Sequence, residues 1–250
     1  MKLIIFTLLI VHNLSALVSI SPVEIGKKAG LSFKIEAGFE TKRGNTDKDN
    51  YQGSSRVTYD EAKEYVVWTE FSGEYGESNT VADTNKAFGH LRLIHSLGDN
   101  DNLRYEIFSQ LESDEFRLIN SRLLGGIGLR YRLLNSEERG KGFFGLSIFH
   151  EDIEYKESSL NPQEENQRLN LYLSYSFKLD KSAAFSYVLY YQPKVDDFSD
   201  YIATNDLEVK VKLYKRLDLK LNVTYNIDSM PPIGVEKSDF TQRTTLVLSF

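Results

Sequence analysis

The chain is predicted to fold as an all-β, antiparallel, up-and-down transmembrane β-barrel of about 12 strands, of the outer-membrane type. Three observations lead there. Apolar and polar residues alternate with period two along most of the sequence, so each segment has one greasy and one wet face. Several of these segments are longer than ordinary soluble strands. After residue 21 no apolar run approaches the length of a membrane helix, whereas a barrel crosses a bilayer with only every second residue apolar.

Residues 1–21 carry one Lys at position 2, an apolar run, and small residues at Ser15, Ala16 and Ser19. That is the layout of a secretory signal peptide, with cleavage expected between 16 and 21. An uncleaved N-terminal anchor is the competing reading, and the short apolar core, broken by His12 and Asn13, counts against it. Residues 22–29 then form a short periplasmic segment and 30–250 the barrel. Removing the leader's single Lys takes the formal charge from −6 to −7, so nucleic acid is not an expected partner. Cysteine is absent, which excludes both a disulfide-stapled secreted fold and a lipoprotein anchored through a lipidated cysteine.

In order, the first strand (30–43) alternates Leu31, Phe33, Ile35, Ala37 and Phe39 with Ser32, Lys34, Glu36, Gly38 and Glu40. Strands at 49–60 and 64–76 follow, the latter with Glu70 and Glu74 on its wet face. The fourth (84–97) and seventh (142–155) are the least regular, because Phe88, Phe143 and Phe149 break the parity of their neighbours. The fifth (102–112) carries Arg104 and Glu106, and the sixth (120–133) carries Arg130 and Arg132. The eighth (166–179) alternates over twelve residues, with Leu169, Leu171, Leu173, Tyr175, Phe177 and Leu179 on one parity. The ninth (183–193) precedes a tenth (201–213) with Glu208, Lys210 and Lys212 on its polar side. The eleventh (216–227) and twelfth (239–250) end the chain, with Lys220 and Arg243 facing inward.

Tight connections at GDND, LDKSA and YKRL contrast with longer ones at YKESSLNPQEEN and DSMPPIGVEKS. This is the short-turn, long-loop pattern of outer-membrane barrels, and an even strand count leaves both termini on the periplasmic side. All five prolines, at 22, 162, 193, 231 and 232, fall in connections or at a strand end. Tyr65, Tyr105, Tyr131, Phe177, Phe185 and Phe250 gather near the periplasmic rim; Phe39, Tyr51, Tyr75, Tyr191, Tyr201, Tyr225 and Phe240 gather near the outer rim. Such girdles suit rings that prefer the membrane interface. A soluble sandwich or lipocalin-like barrel is the alternative, and it would waste either the greasy face or the many charges of the wet one.

The candidate lumen charges are Glu70, Glu74, Arg104, Glu106, Arg130, Arg132, Lys210, Lys212, Lys220 and Arg243. The register set by the connection after the fifth strand puts Arg104 opposite Arg130, and two such arginines need carboxylates between them; Glu70 or Glu74 could reach. One reading is a selectivity ring, and the favoured one is a salt-bridged network that keeps the barrel round. Gly126 and Gly128 lie on the inward parity, where they allow bending and the approach of large neighbours. His90, His95 and His150 form no legible Ser-His-acid arrangement, so no catalytic residue, cofactor or metal site is assigned. Acidic groups at Glu112, Asp114, Glu115, Glu154, Glu157, Glu164, Glu165, Asp196, Asp197 and Asp200 map to outward loops, without the glycine-punctuated pattern of a calcium site.

The stretches GFETKRGNT (38–46), SDEFRLINSRLLGGIGLRYRLL (113–134), QPKVDDFSDYIATNDLEV (192–209) and YNIDSMPPIGVEKSDF (225–240) resemble the family called domain of unknown function 481, described as salt-induced outer membrane proteins. The resemblance runs from about residue 30 to the C-terminus and implies an outer-membrane location. It carries no activity or catalytic residues to transfer. The expected function is a narrow passive pore for small hydrophilic solutes or ions, or else a structural or stress-related envelope protein; a lipid hydrolase is the third and weakest reading. The expected partners are outer-membrane lipid, lipopolysaccharide and the barrel-assembly machinery, with the chain a monomer. The ending TTLVLSF, with Leu246, Leu248 and Phe250 on the lipid-facing parity, is expected to be the assembly signal.

Overall fold

A computed structural model describes residues 25, 29–42, 48–98, 100–156 and 162–250. The signal-peptide reading, the Gly-Asn-Thr stretch at 44–46 and Glu157 lie outside the described residues.

Twelve strands follow in chain order: β1 (Gly30–Lys42), β2 (Lys48–Asp60), β3 (Tyr65–Ser78), β4 (Val81–Leu97), β5 (Asn100–Asp114), β6 (Ile119–Ser136), β7 (Gly140–Tyr155), β8 (Gln163–Lys178), β9 (Ala183–Pro193), β10 (Tyr201–Tyr214), β11 (Leu217–Asp228) and β12 (Ser238–Ser249). Each pairs antiparallel with the next, and β12 returns to β1, so the sheet closes into a barrel with no free edge. The closing ladder runs from Lys34↔Ser249 to Ala37↔Leu246. Just beyond it Phe250 N donates to Phe33 O at 2.9 Å and Phe33 N donates back to Phe250 O at 3.4 Å. The apolar C-terminal residue is therefore held by the first strand.

The alternation works as the sequence predicts, because side chains on a strand point to opposite faces by turns. Leu31, Phe33 and Ile35 stand exposed on the outside, as do Ile107, Leu123, Ile127, Leu146 and Leu246. Glu36, Arg92, Glu106, Arg130, Glu151 and Arg168 are buried inside. A protein with exposed leucines and buried arginines is inverted relative to a soluble one, and that inversion suits an apolar solvent around the barrel. Among the described residues no helix is long and apolar enough to cross a membrane.

Aromatic rings stack into belts on the outer face. At the end that carries residues 30 and 250, centroids run Tyr59–Tyr65 at 6.1 Å, Tyr65–His95 at 6.0 Å and His95–Tyr105 at 5.1 Å across four neighbouring strands. At the opposite, loop end, Phe39 stacks on Tyr51 at 6.4 Å and Tyr191 meets Tyr201 at 5.4 Å.

Two local expectations are corrected. The predicted loop between the third and fourth strands shrinks to a two-residue turn at Asn79 and Thr80, with φ of 50° and 65°. Paired left-handed residues match the twist of the flanking strands, so the hairpin closes early and β4 starts at Val81. The apparent parity breaks at Phe88, Phe143 and Phe149 are not breaks. All three point inward and are buried, because half of this lumen is filled by apolar and aromatic side chains. Phe108, Leu124 and Phe149 form one such cluster, and Tyr172, Val188 and Tyr190 another.

Gly126 makes room for that filling. A Cβ there would lie 2.6 Å from both Phe108 Cζ and Phe149 Cβ.

Candidate functional site

The lumen has two unlike halves. On the side of β1–β4 and β10–β12, inward parity brings Lys34, Glu36, Arg56, Glu70, Glu74, Lys86, Asp206, Glu208, Lys220 and Arg243 around a cavity of about 140 Å³. Five are basic and five acidic, so the lining is formally neutral. This is room for several waters or a small solute.

The bases of this cavity are engaged. Glu36 receives Lys34 Nζ at 2.6 Å and Lys220 Nζ from across the closing seam. Glu74 receives Lys86 Nζ at 3.1 Å, Arg243 Nη2 at 2.5 Å and Asn50 Nδ2 at 2.9 Å. Glu70 receives Arg56 Nε at 2.5 Å. The acids of β10 differ. Asp206 accepts from Asn222 Nδ2 at 3.0 Å and Thr224 Oγ1 at 2.8 Å, and among the described residues neither Asp206 nor Glu208 has a basic group in ion-pair contact. Nearby, Asn226 Oδ1 and the hydroxyls of Thr241 and Thr245 are buried with no hydrogen-bond partner among the described residues.

The other half, on β5–β9 with Trp68 of β3 and Arg92 of β4, is packed. Arg130 lies over the Phe143 ring at 3.7 Å, and Arg92 sits between Phe108 at 5.0 Å and Trp68 at 5.8 Å. Glu106 lies between the two arginines, with Oε1 3.6 Å from Arg130 Nη1 and Oε2 4.0 Å from Arg92 Nη1. Tyr172 donates its hydroxyl to the same carboxylate at 2.9 Å. Toward the loop end, Glu151 is fully buried and receives Arg122 Nε at 2.8 Å and Arg168 Nε at 2.6 Å. Arg168 continues to Asp200 Oδ1 at 3.0 Å and so ties down the connection between β9 and β10. Charges removed from water this completely persist because each lies against an opposite charge.

A single 3₁₀ turn, Glu115–Arg117, links β5 to β6 at the loop end. Asp114 caps it, accepting from the backbone of Phe116 and Arg117, each at 3.2 Å. Glu115 reaches outward to Lys156 at 2.7 Å and Asn85 at 2.9 Å, and these donors hold its carboxyl below the usual carboxylate range. Arg117 points the other way and meets Asp228 Oδ2 at 3.3 Å, at the end of β11 on the opposite side of the barrel.

Of the predicted lumen charges, Glu70, Glu74, Lys220 and Arg243 line the cavity. Arg104, Glu106 and Arg130 are buried in the packed half, where Arg104 faces Arg130 in register. Arg132 is half-buried two residues further along β6. Lys210 is half-buried, and Lys212 is exposed near the terminal rim. The expectation that Glu70 or Glu74 would serve the two arginines is corrected: Glu106 lies beside Arg130, while Glu70 and Glu74 serve Arg56, Lys86 and Arg243. Partners come from the nearest inward positions, and those two glutamates stand too far round the wall.

Lys86, Arg92 and Glu151 went unread because they lie on the strands whose parity looked broken. Inward parity alone would have found them.

His90 is buried between Trp68 and Phe88, at centroid distances of 6.1 and 6.3 Å. His95 belongs to the outward-facing aromatic belt at the terminal end. His150 is exposed on the outer face, with Nε2 3.2 Å from Asp152 Oδ1 and Glu165 nearby. Leu246, Leu248 and Phe250 face outward, exposed.

The family model described as "Protein of unknown function, DUF481" matches residues 35–250. Among solved structures, the NanC porin aligns with a TM-score of 0.52 at 10% identity, covering 86% of this chain and 98% of that one. An outer membrane channel from Pseudomonas putida F1 aligns with a TM-score of 0.52 at 12% identity, covering 92% of this chain and 100% of that one. At these identities the likeness is one of fold. A comparison with the curated proteins gives no match.

Proposed function

The chain belongs to the family of proteins of unknown function DUF481, and on that premise we propose that it is an outer-membrane barrel forming a narrow passive path for small hydrophilic solutes or ions. The observation that carries this reading is the divided lumen. One half is filled, while the other keeps a charged cavity between walls that could equally have been packed with apolar groups. Half-buried Lys210 and exposed Lys212 lie between this wall and the terminal rim. Two solved structures of the same fold are a porin and an outer membrane channel, which supports the reading by analogy alone.

In this proposal the terminal end faces the periplasm, the aromatic belts sit at the two interfaces, and the surroundings are outer-membrane lipid and lipopolysaccharide. The protein is a monomer, delivered by a cleaved signal peptide and inserted by the barrel-assembly machinery through Leu246, Leu248 and Phe250. It is no enzyme and needs no cofactor. Induction by salt is a further part of the proposal and is tested by expression at two osmolarities.

A second reading, an envelope protein with no open channel, is favoured by the Arg117–Asp228 contact at the loop end. Planar-bilayer recording of the purified chain separates the two. Conductance steps that change when Lys220 or Arg243 is neutralised support the pore, and silence over a wide voltage range supports the closed barrel. Location is tested by heat-modifiable migration of a membrane fraction; a soluble periplasmic protein of fixed mobility would sink the proposal.

A further inference from the structure

Resting on the pore reading, we propose that Ile25 is a tethered stopper that seats inside the terminal mouth of the barrel, shuts the path there, and opens it on leaving its seat. The seat is an apolar cluster on the inner wall of β3 and β4, formed by Val66, Trp68, Phe88 and Ile94, and half-buried Ile25 packs against it. Val66 and Ile94 are 0% exposed. All four side chains share the inward parity, while Tyr65 and His95 on the other parity stack in the outer belt. Ile25 therefore meets the cluster from the lumen side.

The strand register explains how Ile25 gets there. Gly30 pairs with Asp60, Asp60 with Val66, and Val66 with Ile94, so the first residue of β1 lies on the same rung as the seat. At about 4.8 Å between neighbouring strands, Val66 stands roughly 10 Å from Gly30 and Ile94 roughly 14 Å. Ile25 is five residues before Gly30, an extended reach of about 17 Å. That length spans the distance to the seat and is far too short to reach the loop end. Gly30 itself has a φ of 89°, which lets the chain turn out of the strand direction where a residue with a side chain would be strained.

The seat adjoins the charged cavity. Phe88 belongs to both, and Glu70 lines the cavity two inward positions beyond Val66 on β3. Ile25 thus sits between the cavity and the terminal mouth, and puts an apolar group where a hydrated solute must pass. A short tether keeps it near the seat at high effective concentration, so one half-buried side chain is enough to hold the mouth mostly shut.

Trp68 is the only tryptophan in the sequence, so the seat carries its own reporter. In the chain purified from the membrane and checked for heat-modifiable folding, Ile25→Ser and Ile25→Asp should shift Trp68 emission to the red and raise its quenching by acrylamide. In planar bilayers the same variants should raise the fraction of time spent conducting about fivefold, the contribution of a half-buried isoleucine. Ile25→Val keeps the apolar contact and should stay near the parent in both readings.

Identical Trp68 emission and quenching in the parent, Ile25→Ser and Ile25→Asp overturns the seat. A changed Trp68 signal with parent-like conductance overturns the closure and leaves the pore standing. Silence of the parent and of every variant over a wide voltage range overturns this proposal together with the pore reading.

Discussion

Arg117 and Asp228 join opposite sides of the barrel. Arg117 lies on the connection between β5 and β6, Asp228 ends β11, and their side chains meet at 3.3 Å with Arg117 only 5% exposed. Glu115 anchors the turn to its own side through Lys156 and Asn85, so Arg117 is the arm that crosses. Replacing it by Ala, or Asp228 by Asn, should widen the loop-end mouth. Single-channel conductance is expected to rise above the parent's; an unchanged conductance would place the constriction elsewhere.

Glu106 is the carboxylate set between Arg92 and Arg130. Glu106→Gln keeps the shape and removes the charge, leaving two buried guanidinium groups without it. Breaking a buried pair typically costs about 3–5 kcal/mol. Urea unfolding of the folded barrel in detergent should show a midpoint shift of that order, and a parent-like midpoint would argue that water reaches the arginines.

Gly145 faces the lumen on β7, and a Cβ there would sit inside the Tyr172 ring. Gly145→Val should displace that ring and loosen the hydroxyl contact to Glu106. Overpacking of this kind costs about 1–3 kcal/mol, to be read as a lower temperature of heat-induced unfolding on electrophoresis. Exposed Gly125, where a Cβ meets nothing within 4 Å, is the matched control.

Asp180 organises the turn between β8 and β9. It accepts from Ser182 N at 2.6 Å, Ser182 Oγ at 2.8 Å and Ala183 N at 2.7 Å, and these donors hold its carboxyl below the usual range. A depressed folded-state value means the stabilisation is present above the ordinary carboxylate range and is lost as pH falls through the folded value. Asp180→Ala should therefore lower heat resistance at neutral pH, with the gap to the parent closing in strong acid.

Deleting Phe250 removes the residue whose backbone pairs with Phe33 beyond the closing ladder. Heat-modifiable barrel in the membrane should fall well below the parent level while total synthesis is unchanged. Normal amounts of folded barrel would contradict an assembly role for the C-terminus.

The strands were legible because alternation is a local, period-two property. In the segment from Arg168 to Leu179 the apolar parity is nearly unbroken, and β8 covers Gln163–Lys178. Neighbour register was legible too, since a short connection fixes it: Arg104 lies opposite Arg130. What misled was the assumption that inward means polar. Phe88, Phe143 and Phe149 obey the parity and violate only that assumption, and with them went Lys86, Arg92 and Glu151.

From the sequence alone come the number of strands, their order, the face each side chain takes and the closure of the last strand on the first, because all of these follow from backbone pleat and short turns. Only the tertiary structure decided which inward groups meet. Glu36 joins Lys34 and Lys220 from two different strands, Arg117 reaches Asp228, and Asp206 and Glu208 are left to face the cavity. Those outcomes depend on barrel closure and on how much of the lumen the aromatic side chains fill, and neither distance is written in any local period.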